Sequence, residues 1–157
     1  INGNLTLSQN KANNYVDYLD VYLDTVPYYT QQETTYSQTT LSFSPSVIAG
    51  LGLSYTVPAW KLSVDWTSKF VSKQYMDNIE TSELPAFNYS SFGLRKMFTT
   101  KENTVIQVSG IVNNVFNQMY SNNGYAFSYQ YAGVKTTERF FYPQAGRNFM
   151  LRATIGF

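Results

Sequence analysis

Residues 147–157, RNFMLRATIGF, alternate strictly. Phe149, Leu151, Ala153, Ile155 and Phe157 share one parity, and Met150, Arg152, Thr154 and Gly156 share the other. That is the period of a β-strand with two unlike faces. Such a strand can lie only at a boundary, apolar on one side and polar on the other. Its apolar parity closes on Phe157, where a soluble domain usually frays into a polar tail, and this points to a strand of an outer-membrane barrel.

The same period recurs upstream. Ile1 to Ser8 carries Leu5 and Leu7 on one face. Leu41 to Val57 sets Leu41, Phe43, Val47, Ala49, Leu51, Leu53, Tyr55 and Val57 against Ser42, Ser44, Ser46, Gly50, Gly52, Ser54 and Thr56. After a tight turn at Pro58-Ala59, Lys61 to Lys73 returns with Leu62, Val64, Trp66 and Phe70 opposite Ser63, Asp65, Thr67 and Lys69, so the pair predicts a hairpin. Tyr89 to Phe98 shows Phe92, Leu94 and Phe98, and Thr104 to about Gln118 shows Ile106, Val108, Val112 and Phe116. With the final strand this makes six. Their connections alternate between short (Pro58-Ala59, Thr99 to Asn103) and long (10–40, 77–87, 121–146), as do the periplasmic turns and outer loops of an outer-membrane barrel. Within the first long connection, NNYVDYLDVYLD reads as a strand extension by its alternation, or as a short helix carrying Asp17, Asp20 and Asp24; the alternation favours the strand.

A barrel requires aromatic residues on the lipid-facing parity at both edges of its apolar band. Tyr55, Trp60, Phe98 and Phe157 stand near the periplasmic ends, and Phe43, Phe70, Phe92, Phe116 and Phe149 near the outer ends, all on the apolar parity. A strand tilted about 45° climbs roughly 2.3 Å per residue, so a band of roughly 25 Å needs about ten residues between girdles. The spacings from Phe43 to Tyr55 and from Trp60 to Phe70 bracket that span; Phe92 to Phe98 is shorter. The expected fold is all-β, an antiparallel transmembrane barrel portion of six strands. A soluble β-sandwich binding domain fits the same alternation, but the unbroken apolar face and the alternating connection lengths favour the barrel.

Composition narrows the chemistry. Aromatic residues reach 17% while charged residues make only 13%, and the formal charge of +1 comes with no basic run, which excludes nucleic acid as a partner. Without Cys or His there is no thiolate or imidazole for zinc or for nucleophilic catalysis. Asp65 with Lys69 or Arg95 reads as a lumen ion pair rather than a catalytic set, so neither enzyme activity nor a cofactor is expected. Asp17, Asp20 and Asp24, or Asp77 with Glu80 and Glu83, lack the spacing and glycine of a Ca²⁺ loop and read as solvated acids. In the long connections Tyr28, Tyr29, Tyr125, Phe127, Tyr129 and Tyr131 supply aromatic surface able to stack on a flat ligand or a sugar, or to pack among the loops themselves.

Two motifs add a family resemblance. YPQAGRNFMLRATIGF at 142–157, with NNVFNQMYSNNGY at 113–125, closely resembles the C-terminal barrel end of TonB-dependent outer-membrane receptors. The resemblance implies a twenty-two-stranded barrel of which this chain is the last six strands, with the plug and earlier strands upstream of Ile1 as its first partners. The TonB system would be reached only through that plug. Outer-membrane lipid would surround the strands, and the barrel assembly machinery would read Phe149, Leu151, Ala153, Ile155 and Phe157. SFSPSVI at 42–48 and YMDN at 75–78, with the NNVFN, NGY and YPQAGRNF runs, look more like receptors for a metal chelate, haem or cobalamin than like SusC-type glycan or peptide importers. The latter, and a passive porin or adhesin barrel, stay as alternatives, and whether a surface lipoprotein caps the barrel stays open.

Overall fold

The computed structural model describes residues 1–101 and 104–156. It is all-β apart from one 3₁₀ turn at Pro58–Trp60. The strands are β1 (Asn2–Leu7), β2 (Lys11–Tyr22), β3 (Tyr29–Thr40), β4 (Val47–Val57), β5 (Leu62–Val71), β6 (Gln74–Tyr75), β7 (Glu83–Leu84), β8 (Phe87–Thr99), β9 (Val105–Asn113), β10 (Ser121–Tyr131), β11 (Val134–Pro143) and β12 (Asn148–Gly156).

Six of these, in the order β1-β4-β5-β8-β9-β12, form one antiparallel sheet, and each corresponds to a strand expected from alternation. Residues directly opposite one another in an antiparallel pair share a face, so the register tests the parities together. One row runs Leu53, Trp66, Phe92, Val112, Phe149, and the next Tyr55, Val64, Leu94, Gly110, Leu151. On the reverse face the rows run Ser54, Asp65, Gly93, Ile111, Met150, then Thr56, Ser63, Arg95, Ser109, Arg152. Nothing slips between strands, because a one-residue shift would put a whole strand's aliphatic set among the serines. Lys96 is the charged residue on the apolar parity; it sits near the short turns, where its ammonium reaches the Trp60 carbonyl at 2.5 Å and lies over the Phe98 ring at 5.8 Å.

The apolar face is uncovered: Tyr55, Phe149 and Leu151 are 70%, 72% and 85% exposed. Among the described residues β1 and β12 are hydrogen-bonded on one side only, and the sheet does not close on itself. The polar face is internally bonded. Asp65 accepts from Ser54 at 2.7 Å and pairs with Arg95 at 3.6 Å, and the Asp65, Arg95, Gln107 and Arg152 side chains border a groove of about 410 Å³.

Several expected boundaries move. Strand β4 begins at Val47 rather than Leu41, because Phe43 has φ +53 and Pro45 has no N–H to give to a ladder. Phe43 therefore leaves the strand parity, and its N–H donates to the Tyr75 carbonyl at 2.8 Å. Phe116 also lies past its strand, yet its ring meets Trp66 edge-on at 5.9 Å and so returns to the apolar face. Trp60 sits in the 3₁₀ turn, 63% exposed. Tyr55, Phe70, Phe92, Phe98 and Phe149 keep their expected strands and parity. Phe157, with Glu102 and Asn103 of the second short turn, lies outside the described residues.

The long connections differ most from expectation. Segments 10–40 and 121–146 are hairpins, β2-β3 and β10-β11, that prolong the β1-β4 and β9-β12 pairs lengthwise. They meet through a short parallel contact between β10 and β2, giving a second sheet ordered β11-β10-β2-β3. The segment between β5 and β8 folds as the two-residue ladder β6-β7, which packs against β10 of the second hairpin. The small buried core is here, formed by Val71, Met76, Leu84 and Phe87, with Phe87 stacked on Tyr120 at 4.6 Å.

Candidate functional site

Two knots of backbone and side-chain bonds carry the hairpins on the large sheet. In the first, Asn114 is buried and spans the chain crossing: its amide donates to the carbonyls of Gln118 at 2.9 Å and Ala145 at 3.2 Å, and accepts from the Gln118 N–H at 3.0 Å. Asn117 accepts from the Arg147 N–H at 2.8 Å, Arg147 Nε donates to the Val115 carbonyl at 2.9 Å, and Asn113 donates to Asn148 at 3.0 Å. The NNVFN and AGRN runs are thus two sides of one junction. In the second knot, Asn78 accepts from the Ser42 N–H at 2.7 Å and Glu80 from the Thr40 N–H at 2.6 Å, so SFSPS and YMDN also meet.

The hairpins present a continuous aromatic surface. β10 turns into β11 through Ala132-Gly133, both at positive φ, the two-residue turn that suits strand twist. Alternation then puts Tyr125, Phe127, Tyr129 and Tyr131 on one face, opposite Tyr142 and Phe140 on β11 and beside Tyr22 on β2. Ring centroids step from Tyr142 to Tyr125 (6.2 Å), Phe140 (4.8 Å), Phe127 (6.2 Å) and Tyr129 (6.2 Å), then to Tyr22 (6.4 Å) and Tyr29 (5.7 Å). Within the Tyr125, Phe140, Phe127 group the rings lie within about 14° of parallel. A recess of about 390 Å³ opens on this surface, bordered by Asp20, Tyr22, Phe127, Tyr129 and Tyr131.

Its tyrosines hold carboxylates. Asp20 accepts from Tyr29 Oη at 2.8 Å and Gln31 Nε2 at 3.0 Å; Asp24 accepts from Tyr131 at 2.9 Å, and Glu138 from Tyr129 at 3.2 Å. The bonds from Gln31 and then Tyr29 hold the Asp20 carboxyl below its ordinary value. The same pairing raises the Tyr29 phenol, and Asp24 raises that of Tyr131. The reverse side of the hairpins is anchored instead: Arg139 donates to Ser82 Oγ at 3.2 Å and to the Thr81 carbonyl at 3.1 Å, and Gly124 lies so close to Met76 that a Cβ would approach Sδ at 2.5 Å.

Of the aromatic residues expected to meet a ligand, Tyr29, Tyr125, Phe127 and Tyr129 join the ladder, Tyr131 stands at its edge, and Tyr28 is apart at the tip of the first hairpin with φ +58. Tyr22, Phe140 and Tyr142 were not singled out from sequence, although the parity of YVDYLDVY and of ERFFY places them on the same face. Among the described residues no three acidic side chains converge to hold a metal; Asp77 instead accepts from Thr81 and Ile79 within its own turn. Comparison with protein-family models, with curated proteins and with solved structures gives no match.

Proposed function

We propose that this chain is the C-terminal six-stranded part of a TonB-dependent outer-membrane receptor barrel, with its hairpins as ligand-facing outer structure. The observation that carries this reading is the uncovered apolar face, whose two central rows are aliphatic and aromatic from β4 to β12 apart from Gly110. In water such a surface forgoes roughly 25 cal/mol for every Å² left unburied, and exposed patches of this extent mark an interface or a membrane. A β-sandwich would lay a second sheet over it, but the hairpins prolong the strands lengthwise instead. Lipid covers it without a second layer, provided the backbone is bonded throughout. The free edges of β1 and β12 then belong to neighbouring strands of the closed barrel, and the polar groove of Asp65, Arg95 and Arg152 faces the lumen. The plug and the TonB system, implied by the motif resemblance, supply energy for uptake of a scarce ligand of metal-chelate, haem or cobalamin type.

The test uses the full-length protein in its host. It should stay with the outer membrane through alkaline extraction, and growth on a limiting metal chelate should require both this protein and TonB. Recovery in the soluble fraction would contradict the reading.

A further inference from the structure

We infer that the aromatic face of the hairpin sheet binds a positively charged ligand with a flat or apolar body and discriminates against anions, which among the proposed ligand types favours a cationic chelate over haem with its two propionates. The inference rests on the hairpins being ligand-facing; it does not rest on barrel closure.

The register puts every basic residue of this sheet on one side, where Asp17 is the acid that accompanies them. Asp20, Glu33 and Glu138 share the face of Tyr18, Tyr22, Tyr125, Phe127, Tyr129 and Phe140. The basic residues of the same strands, Lys11, Lys135 and Arg139, are paired with Thr40, Gln130 and Ala126 on the reverse. The aromatic face therefore carries carboxylates and no cation from its own strands. Its acids are bonded only to uncharged donors, Tyr29 and Gln31 for Asp20 and Tyr129 for Glu138, which orient them without neutralising them.

Two attractive terms converge on a cation there. Ring faces carry negative potential and attract cations stacked on them, and Asp20 borders the same recess as Tyr22, Phe127 and Tyr129. An anion over these rings meets repulsion from both. A second copy of this face would set carboxylate against carboxylate, so the charge pattern also opposes self-association through it.

The test titrates the full-length protein in non-ionic detergent with methyl viologen, a flat aromatic dication, and with its neutral relative 4,4′-bipyridine at neutral pH. Methyl viologen should bind about tenfold more tightly or better. The preference should shrink as salt is added, as expected for exposed charges. In the double variant Asp20→Asn, Glu138→Gln the preference should fall about threefold or more, the ring faces keeping the remainder, with bipyridine binding unchanged. Phe127→Ala should weaken both, and Lys135→Gln on the reverse face should alter neither. Equal binding of the two probes by the unaltered protein, or a preference undiminished in the double variant, overturns the charge selectivity alone. Binding of neither probe overturns it together with the ligand-facing assignment of the hairpins.

Discussion

The hydroxyls of Ser68 and Ser90 lie 2.7 Å apart on the apolar parity of the large sheet, and Ser68 Oγ also accepts from Trp66 Nε1 at 2.8 Å. Three polar groups are thereby satisfied without water. Ser68→Ala leaves the indole N–H without its acceptor and Ser90 without its partner, and should cost about 1–3 kcal/mol, against about 0.5–1.5 kcal/mol for Ser90→Ala. Urea unfolding of the full-length protein in detergent or bilayers measures both; a larger loss for Ser90→Ala would mean that Ser68 is not the hub.

Charge placed on the two faces should have unequal effects. Val64 belongs to the apolar row of Tyr55 and Leu94, whereas Thr67 lies on the polar parity beside Gly52 and Ser91. Val64→Arg should cost about 1–3 kcal/mol at a lipid-facing site one strand from the Tyr55 girdle, and Thr67→Arg much less. Folding free energies measured in bilayers decide this, and equal losses would remove the assignment of faces.

Strand identity was legible in the sequence because parity is local: Leu51, Leu53 and Tyr55 declare a face without reference to β5. The hairpins were harder to read. β3, YTQQETTYSQTT, is polar on both parities, so only pairing with β2 marks it as a strand. Phe43 failed for the converse reason, since Ser and Phe alternate through a turn as readily as through a strand and only backbone conformation separates the two. The parallel contact of β10 with β2 joins segments about a hundred residues apart, and no local pattern announces it.

Acid should loosen the first hairpin. The Thr40 side chain and then its backbone N–H hold the Glu80 carboxyl below its ordinary value near 4.5. A lowered folded-state value means that the stabilisation is full above the unfolded value and is lost as pH falls through the folded one. A spin label at Thr34 should therefore gain mobility below about pH 4.5, whereas in Glu80→Ala it should be mobile at neutral pH as well. Unchanged mobility in that variant would detach Glu80 from hairpin docking.

Close approach at Gly124 should anchor the second hairpin. A Cβ there would meet Met76 Sδ and the Phe140 carbonyl, each at 2.5 Å, and the carbonyl belongs to a paired strand that cannot swing aside. Gly124→Ala should cost about 1–3 kcal/mol locally. Hydrogen exchange should then rise in 121–143 and 76–84 and stay unchanged in β5 and β8; uniform acceleration would contradict a local anchor.

Removing the aromatic strand of that hairpin should separate binding from assembly. Deletion of Gly124 to Tyr131 takes out three rings of the aromatic ladder, and Tyr131 at its edge, and leaves the β9-β12 pairing untouched. Ligand uptake should fall while the amount of heat-modifiable, assembled protein in the outer membrane stays the same. Unchanged ligand affinity would exclude this hairpin from the site.

The central claim, that the uncovered face of the six-stranded sheet lies against lipid, is tested most directly by a nitroxide scan of β4 in the full-length protein reconstituted in bilayers. Labels at Leu51, Leu53 and Tyr55 should collide more with oxygen, which concentrates in the hydrocarbon, than with a water-soluble nickel chelate. Labels at Gly52, Ser54 and Thr56 should show the reverse, giving a period of two along the strand. Accessibilities that do not alternate, or that favour the nickel chelate at Leu53, would contradict the account.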